Sequence, residues 1–153
     1  MAIEAPLSKY KRNNFKIIIA MMLICAIWFG YDGYFNAEFR EKHSDANGLP
    51  DSTLVFNQKS PPFFLGAAIV LGVSLFLISK KKIVAGEKEL AINDKQRIPY
   101  DSIQKIDKTN FDSKGFFLIT HKSTDGSEVT RKISDRTYDN LAAVLDELVS
   151  KIS

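Results

Sequence analysis

The side chains able to do chemistry are few in this sequence, and their spacing limits what they can do. Cys25 is the only cysteine. It lies inside an apolar run, where a thiol acts as a small packing residue, and no disulfide within the chain is available to it. His43 has no second ligand near it in sequence, so it suggests no metal site. His121 stands in a strand-like run beside Lys122, without an acid or nucleophile at useful spacing, which predicts a packing or surface role. Asp101, Asp107 and Asp112 fall along turn-like segments, the ordinary place for solvated acids. Asp32 is the single carboxylate close to a long apolar run. An acid within a membrane would suggest an ion or proton path, but one acid without a partner makes no relay, and its neighbours Tyr31, Gly33 and Tyr34 place it at an interface. No phosphate-binding glycine loop, nucleophile elbow or paired Cys/His spacing is present. These patterns point away from an enzyme. They nominate no catalytic residue, cofactor or metal.

The elements around these residues divide the sequence into two unlike halves. The chain has 153 residues and a net charge of +3, and a mean hydropathy of -0.10 that conceals the division. Ile17 to Tyr31 reads IIIAMMLICAIWFGY and carries no charge. With Phe15 and Lys16 on one side and Asp32 to Phe35 on the other, it approaches the roughly 17–25 residues needed to cross about 30 Å of hydrocarbon. Trp28, Tyr31, Tyr34 and Phe35 gather at one end, as amphipathic rings do at a membrane surface. Pro62 to Ser79 is also free of charge. Pro61 and Pro62 suit a helix start, where a missing N–H costs nothing, and Lys80, Lys81 and Lys82 end the span.

Two alternatives compete with a pair of membrane spans. A cleaved signal peptide fits poorly, because Phe35 stands two positions before Ala37, where a small residue belongs. Buried core helices would need a large soluble body that the remaining residues are too few to supply. The expected organisation is a cytosolic basic tail (1–14), a first transmembrane helix (15–35), an extracytoplasmic loop (36–60), a second transmembrane helix (61–79) and a cytosolic domain (80–153).

Orientation follows from basic flanks. Lys9, Lys11, Arg12 and Lys16 precede the first span and Lys80 to Lys82 follow the second, whereas the connecting segment has only Arg40, Lys42 and Lys59. The positive-inside rule then puts both termini in the cytosol, in a multi-pass inner-membrane protein. Basic residues placed this way form no stripe for nucleic acid. The lipid bilayer is the expected partner, together with a protein partner or a second copy of the chain. Lys80, Lys81 and Lys82 are candidate lipid-headgroup contacts, since juxtamembrane lysines attract anionic lipid, although a stop-transfer anchor alone accounts for them. Ala26 with Gly30, and Ala68 with Gly72, are small residues four apart, candidates for close helix–helix packing. In the connecting segment Asn47-Gly48 and Pro50-Asp51 mark turns. Glu38 to Lys42 can prolong the first helix, and Leu54 to Phe56 is a short apolar patch.

Beyond Lys82 the pattern is that of an antiparallel sheet. Leu90 and Ile92, Ile98 and Tyr100, and Ile103 and Ile106 mark short segments. FFLITH, from Phe116 to His121, has the best strand chemistry, and Val129, Arg131 and Ile133 alternate after it. Asp125-Gly126 between these two is a hairpin turn. Tyr138, Leu141, Leu145, Leu148 and Ile152 recur at helical spacing, with Ser134 or Asp135 as the candidate cap. The fold class is therefore α+β: a two-helix transmembrane hairpin followed by a small antiparallel sheet domain closed by a C-terminal amphipathic helix.

IPYDSIQKID (Ile98 to Asp107), GFFLIT, the Asp-Gly turn and the terminal helix resemble the pleckstrin-homology-like (PH-like) domains of small bacterial membrane proteins. WFGYDGYFN is similar to the membrane segment of two-pass proteins with such a tail. The resemblance implies a non-enzymatic interaction module presented at the cytosolic face. The alternative is an accessory subunit docking through its hairpin into a larger membrane complex. Members of the family usually show seven strands. The segment from 80 onward supplies fewer, with Lys82 to Gly86 as a candidate for one more, and the resemblance transfers no ligand-binding residue.

Overall fold

The computed structural model describes residues 2–152, apart from the side chain of Asp94. The chain forms two compact units, Met1–Arg12 with Phe76–Ser153, and Asn13–Leu75.

The first unit is built on a strand that the sequence reading did not anticipate. Ile3–Pro6 forms β1 and pairs antiparallel with β2, Lys82–Ala85, in the register Ile3–Ala85 to Pro6–Lys82. Residues 1–14, expected as a tail, thus hold a strand and the start of a helix. The signal was the alternation Ile3, Ala5, Leu7 against Glu4 and Pro6: Ala5 and Leu7 are buried and Ile3 half-buried. Pro6 is tolerated because it lies at the end of an outer strand, where a missing N–H breaks little of the ladder. β3 (Glu89–Ile92) and β4 (Gln96–Pro99) complete a four-stranded sheet in the order β1-β2-β3-β4. β5 (Ile103–Asp107), β6 (Phe116–Lys122) and β7 (Glu128–Ser134) form a second, three-stranded sheet in sequence order. All pairings are antiparallel, and β5 shifts register between Ile103 and Lys105. The architecture is α+β, with helices followed by antiparallel sheets.

Both sheets and the C-terminal helix share one core. Ile83, Leu90, Ile98, Phe117 and Ile119 are buried from the strands, and Leu141, Val144, Leu145 and Leu148 from the helix. Burying each such side chain contributes about 2 kcal/mol. The helix spans Leu141–Ile152, later than expected. Asn140 adopts a left-handed conformation (φ 61°) and breaks the backbone path just before it. Ser134 and Asp135 therefore do not cap it. Ser134 closes a turn instead, its carbonyl accepting from the N–H groups of Thr137 and Tyr138. Tyr138 lies outside the helix, buried and bridged to Leu7, and Ile152 is 37 % exposed. The turn-like segment around Asp112 is a short helix, Phe111–Lys114, that Gly115 ends at φ 68°. Gly126 (φ 84°) forms the hairpin turn after Asp125.

The second unit contains most of two long apolar helices. α1 runs Lys9–Gly30 and continues as a π-helical turn, Tyr31–Phe35. α2, Ala37–Lys42, follows with Asn36 as N-cap, so the helix is restarted after a break and not simply prolonged. α3, Ser52–Lys59, starts where the Asp51 carboxylate accepts from the Leu54 N–H (2.9 Å). α4, Pro61–Ser79, has the bounds read from sequence. The short Phe111–Lys114 helix is α5, and Leu141–Ile152 is α6. Much of the expected loop 36–60 is thus helical, because Asn36 and Asp51 both cap.

Candidate interaction site

The apolar helices present most of their side chains outward. Lys9–Phe35 and Ser52–Ser79 are both long and apolar enough to cross a membrane, and only 6 % of the most apolar stretch of each is buried. Ile27 (72 %), Trp28 (66 %) and Phe76 (63 %) are among the exposed residues. Ala26 is the one buried residue of α1 and Ala68 that of α4 among those described. Gly30 sits against Pro61, its Cβ position 3.6 Å from the proline Cγ. Around Gly72 the corresponding space is open. The four small residues therefore divide: Ala26, Ala68 and Gly30 are in packed surroundings, and Gly72 is not.

One end of this unit is held together by close backbone approach. A Cβ on Gly33 would fall 2.8 Å from the carbonyl carbon and oxygen of Asn57. The Tyr34 hydroxyl donates to the Gln58 carbonyl (2.8 Å), and Gln58 Nε2 donates to the Gly33 carbonyl (3.2 Å). Phe29 packs edge-on to Phe56 and beside Phe64, with centroids 5.3 and 5.5 Å apart. Asp32 lies in the π-helical turn and accepts from Asn36 Nδ2 at 2.8 Å. It borders an apolar groove of about 430 Å³ lined by Ile24, Ile27, Trp28 and Tyr31.

Nearby, His43 Nδ1 lies 2.8 Å from Asp51 Oδ2. The Leu54 N–H, and next the His43 ring, hold the Asp51 carboxyl below the usual carboxylate range. This is a helix cap with an imidazole beside it, and no group of three His, Cys, Asp or Glu able to hold a metal ion occurs among the described residues. Cys25 is partly buried. Asp107 is held low by the Thr109 side chain and N–H, an ordinary turn acid.

The chain matches no family model, no curated protein and no solved structure.

Within the sheet unit, the three lysines are not equivalent. Lys82 opens β2, and its Nζ is 2.6 Å from Glu4 Oε1 on β1. Lys80 Nζ lies 4.7 Å over the Phe76 ring. Lys81 is exposed. The residues that sequence reasoning missed surround the start of α1. Ser8 is fully buried. Its hydroxyl donates to the Arg136 carbonyl (2.7 Å) and accepts from the Lys11 N–H (3.1 Å), and its own N–H donates to the Thr137 carbonyl (2.8 Å). The Asp139 carboxylate accepts from the Lys9 N–H (3.0 Å), a negative charge at a helix N-terminus. A serine immediately before Lys9 was the available signal, obscured because the helix was expected to start at residue 15.

His121 is buried on the inner side of β6, with Nδ1 3.3 Å from the Lys122 carbonyl and no partner at Nε2. Tyr100 is also buried. Its hydroxyl donates to the Gly86 carbonyl (2.7 Å), and burial, with Glu147 and Glu89 nearby, raises its pKa, keeping it a donor.

Proposed function

We propose that this chain is a non-enzymatic, two-pass protein of the bacterial inner membrane carrying a PH-like interaction module on the cytosolic side. The observation that carries this reading is the exposure of two charge-free helices, each 6 % buried over its most apolar stretch. A water-soluble monomer rarely exposes contiguous apolar patches larger than a few hundred Å². In a bilayer the same surface faces hydrocarbon at no cost, and between the helix ends each N–H and C=O is satisfied within its own helix.

The topology draws support from the basic residues that flank both spans. The PH-like assignment draws support from a four-stranded and a three-stranded antiparallel sheet closed by one C-terminal helix. It gains from β1, which makes up the strand that the segment after residue 80 lacks. On this reading the hairpin is an insertion: the chain leaves the sheet after Pro6 and re-enters at Lys82, two residues paired in register. The lysines Lys80 and Lys81 then sit at headgroup level, and Lys82 is committed to Glu4.

Membrane fractions washed with alkaline carbonate test the embedding, and recovery of the full chain in the high-speed supernatant without detergent overturns it. Cysteines placed at Ser44 and Ser123 in a Cys25→Ala background test the orientation. Ser44 is expected to label from outside intact spheroplasts and Ser123 only after lysis. The second reading, an accessory subunit docking through its hairpin, is favoured by the open space around Gly72. Co-purification of a partner that depends on Gly72, and not on the sheet domain, would select it.

A further inference from the structure

We propose that the groove along the outer edge of β7 binds an acidic peptide in extended conformation, which adds to the three-stranded sheet as a further strand. This inference rests on the reading of the domain as an interaction module and names its partner by chemistry.

The groove has a volume of about 470 Å³. Ile83, Ile92, Ile133 and Tyr138 contribute its apolar floor, and Arg131, Lys132 and Arg136 its charged rim. No carboxylate is among the described lining residues. Arg131 is the informative residue. It shares a face of β7 with buried Ile133 and half-buried Val129, yet it is exposed. The inner face of the sheet is therefore open at that point, and a guanidinium stands in the opening.

β7 is an end strand, paired only with β6 among the described residues. The Ser123 N–H donates to the Ser127 carbonyl at the hairpin. Bonded and non-bonded pairs alternate along an antiparallel ladder. The bonded pairs are then His121–Val129, Ile119–Arg131 and Phe117–Ile133 in the observed register. Thr120 and Thr130, whose hydroxyls meet at 3.0 Å, fall on a non-bonded pair, where side chains are closer. It follows that Thr130 and Lys132 turn their backbone N–H and C=O away from β6, toward the groove side. The contrast with β1 is direct. The outer edge of β1 is closed by the Leu7–Tyr138 bridge, the Asp139 N–H on the Pro6 carbonyl and Asn140 Nδ2 on the Glu4 carbonyl.

An open strand edge, an apolar floor and guanidinium groups at the rim select among occupants. A lipid headgroup would use the cations and leave the edge and floor unused. An extended peptide uses all three: its backbone pairs with Thr130 and Lys132, and its side chains alternate between the inner face, where they meet the floor and Arg131, and the outer face, where carboxylates meet Lys132.

The test uses the full chain in detergent micelles and a fluorescein-labelled hexapeptide alternating Glu and Val, read by anisotropy. A second peptide carries N-methyl groups on alternate peptide nitrogens, which removes backbone donors and keeps the charge. Saturable binding of the first peptide is expected, with loss for the second. Arg131→Glu is expected to weaken binding about tenfold or more. Thr130→Pro removes an outward donor and leaves the backbone ladder to β6 in place, at the loss of the hydroxyl contact with Thr120, and is expected to weaken binding similarly. Circular dichroism checks folding, and Arg131→Glu, at an exposed side chain, keeps the test decisive if the proline variant fails to fold. No binding, or equal binding of the N-methylated peptide, overturns the proposal. So does binding in phosphatidylcholine nanodiscs that vanishes in phosphatidylglycerol nanodiscs, which assigns the groove to headgroups. Carbonate washing judges the membrane reading separately, so the failure of either is recognised without the other.

Discussion

Leu7→Ala separates a solvated N-terminal tail from a first strand that belongs to the core. Leu7 is 2 % exposed and bridges Tyr138, itself buried. Truncation to alanine removes apolar surface worth about 2–3 kcal/mol. The space left behind adds a cavity term of about 24 cal/mol per Å³ that does not collapse, giving about 2–5 kcal/mol in all. A residue on a mobile tail would change stability by no more than about 0.5 kcal/mol. For a domain of this size each kcal/mol moves the midpoint by about 4–8 °C, so the two accounts differ by at least about 6 °C. The assay is thermal pulse proteolysis of the full chain in detergent, following cleavage between Lys82 and Lys151. Ser8→Ala is the companion: it removes the cap on Lys11 and the bond to the Arg136 carbonyl, for a further loss of about 1–2 kcal/mol. A Leu7→Ala midpoint indistinguishable from the parent would refute the assignment of the segment from β1 to Leu7 to the folded domain.

Three further outcomes follow from the geometry. Joining Leu7 to Lys81 through an Asn-Gly turn, with the hairpin excised, should give a soluble folded domain, because Pro6 and Lys82 are the last pair of an antiparallel ladder and Leu7 and Lys81 follow them in register; a fragment beginning at Lys80 should expose the β2 edge and aggregate, as gel filtration of the two will show. Gly115→Ala should cost about 1–3 kcal/mol in urea unfolding, since the residue sits at φ 68° and the added Cβ would overlap the Asp135 carboxylate. The Asp51 carboxyl is held low in the folded state by the Leu54 N–H and then by His43, so its contribution to α3 is present above the unfolded carboxylate pKa and is lost as pH falls through the lower folded value; hydrogen exchange at the Leu54 amide should quicken in that acid window, and Asp51→Asn should flatten the dependence.

Much of the sheet and helix pattern was legible because single-residue chemistry decided it locally. The bounds of α4 follow from two prolines at one end and three lysines at the other. FFLITH and the Asp125-Gly126 turn define the β6–β7 hairpin by alternation and by a glycine at positive φ. What escaped was whatever a distant segment supplies. Ile3, Ala5 and Leu7 alternate over too short a stretch to identify a strand, and their partner lies across the whole hairpin at Lys82–Ala85. Tyr138 fits the helical spacing of α6, but the left-handed Asn140 removes it from the helix, and no periodicity argument detects a single backbone angle. The candidate site divides in the same way. Lysines beside a span were readable from charge, whereas the commitment of Lys82 to Glu4 depends on β1. Arg131 was seen to alternate with Val129 and Ile133, but its exposure on that face required the three-dimensional arrangement.

The insertion of the hairpin between two paired strands has a mechanical consequence for the sheet unit. At one end, the first turn of α1 is bonded into the sheet unit: the N–H and hydroxyl of Ser8 are held by Thr137 and Arg136, and the Lys9 N–H by Asp139. The start of α1 cannot turn about its own axis without giving up these bonds, each worth about 1 kcal/mol and more where a charge is involved. At the other end, the chain passes from Ser79 through Lys80 and Lys81 directly into β2. The two ends of the insertion are thus tied to neighbouring positions of one ladder, Pro6 and Lys82, and a change in their separation must be absorbed by the β1–β2 register. The same loop that holds Ser8 also contributes Arg136 and Tyr138 to the groove beside β7. A ligand that orders this loop would therefore stiffen the start of α1 as well, and Ser8→Ala should uncouple the two: peptide binding at the groove would persist while protection of the Lys11 amide against hydrogen exchange no longer rises with it.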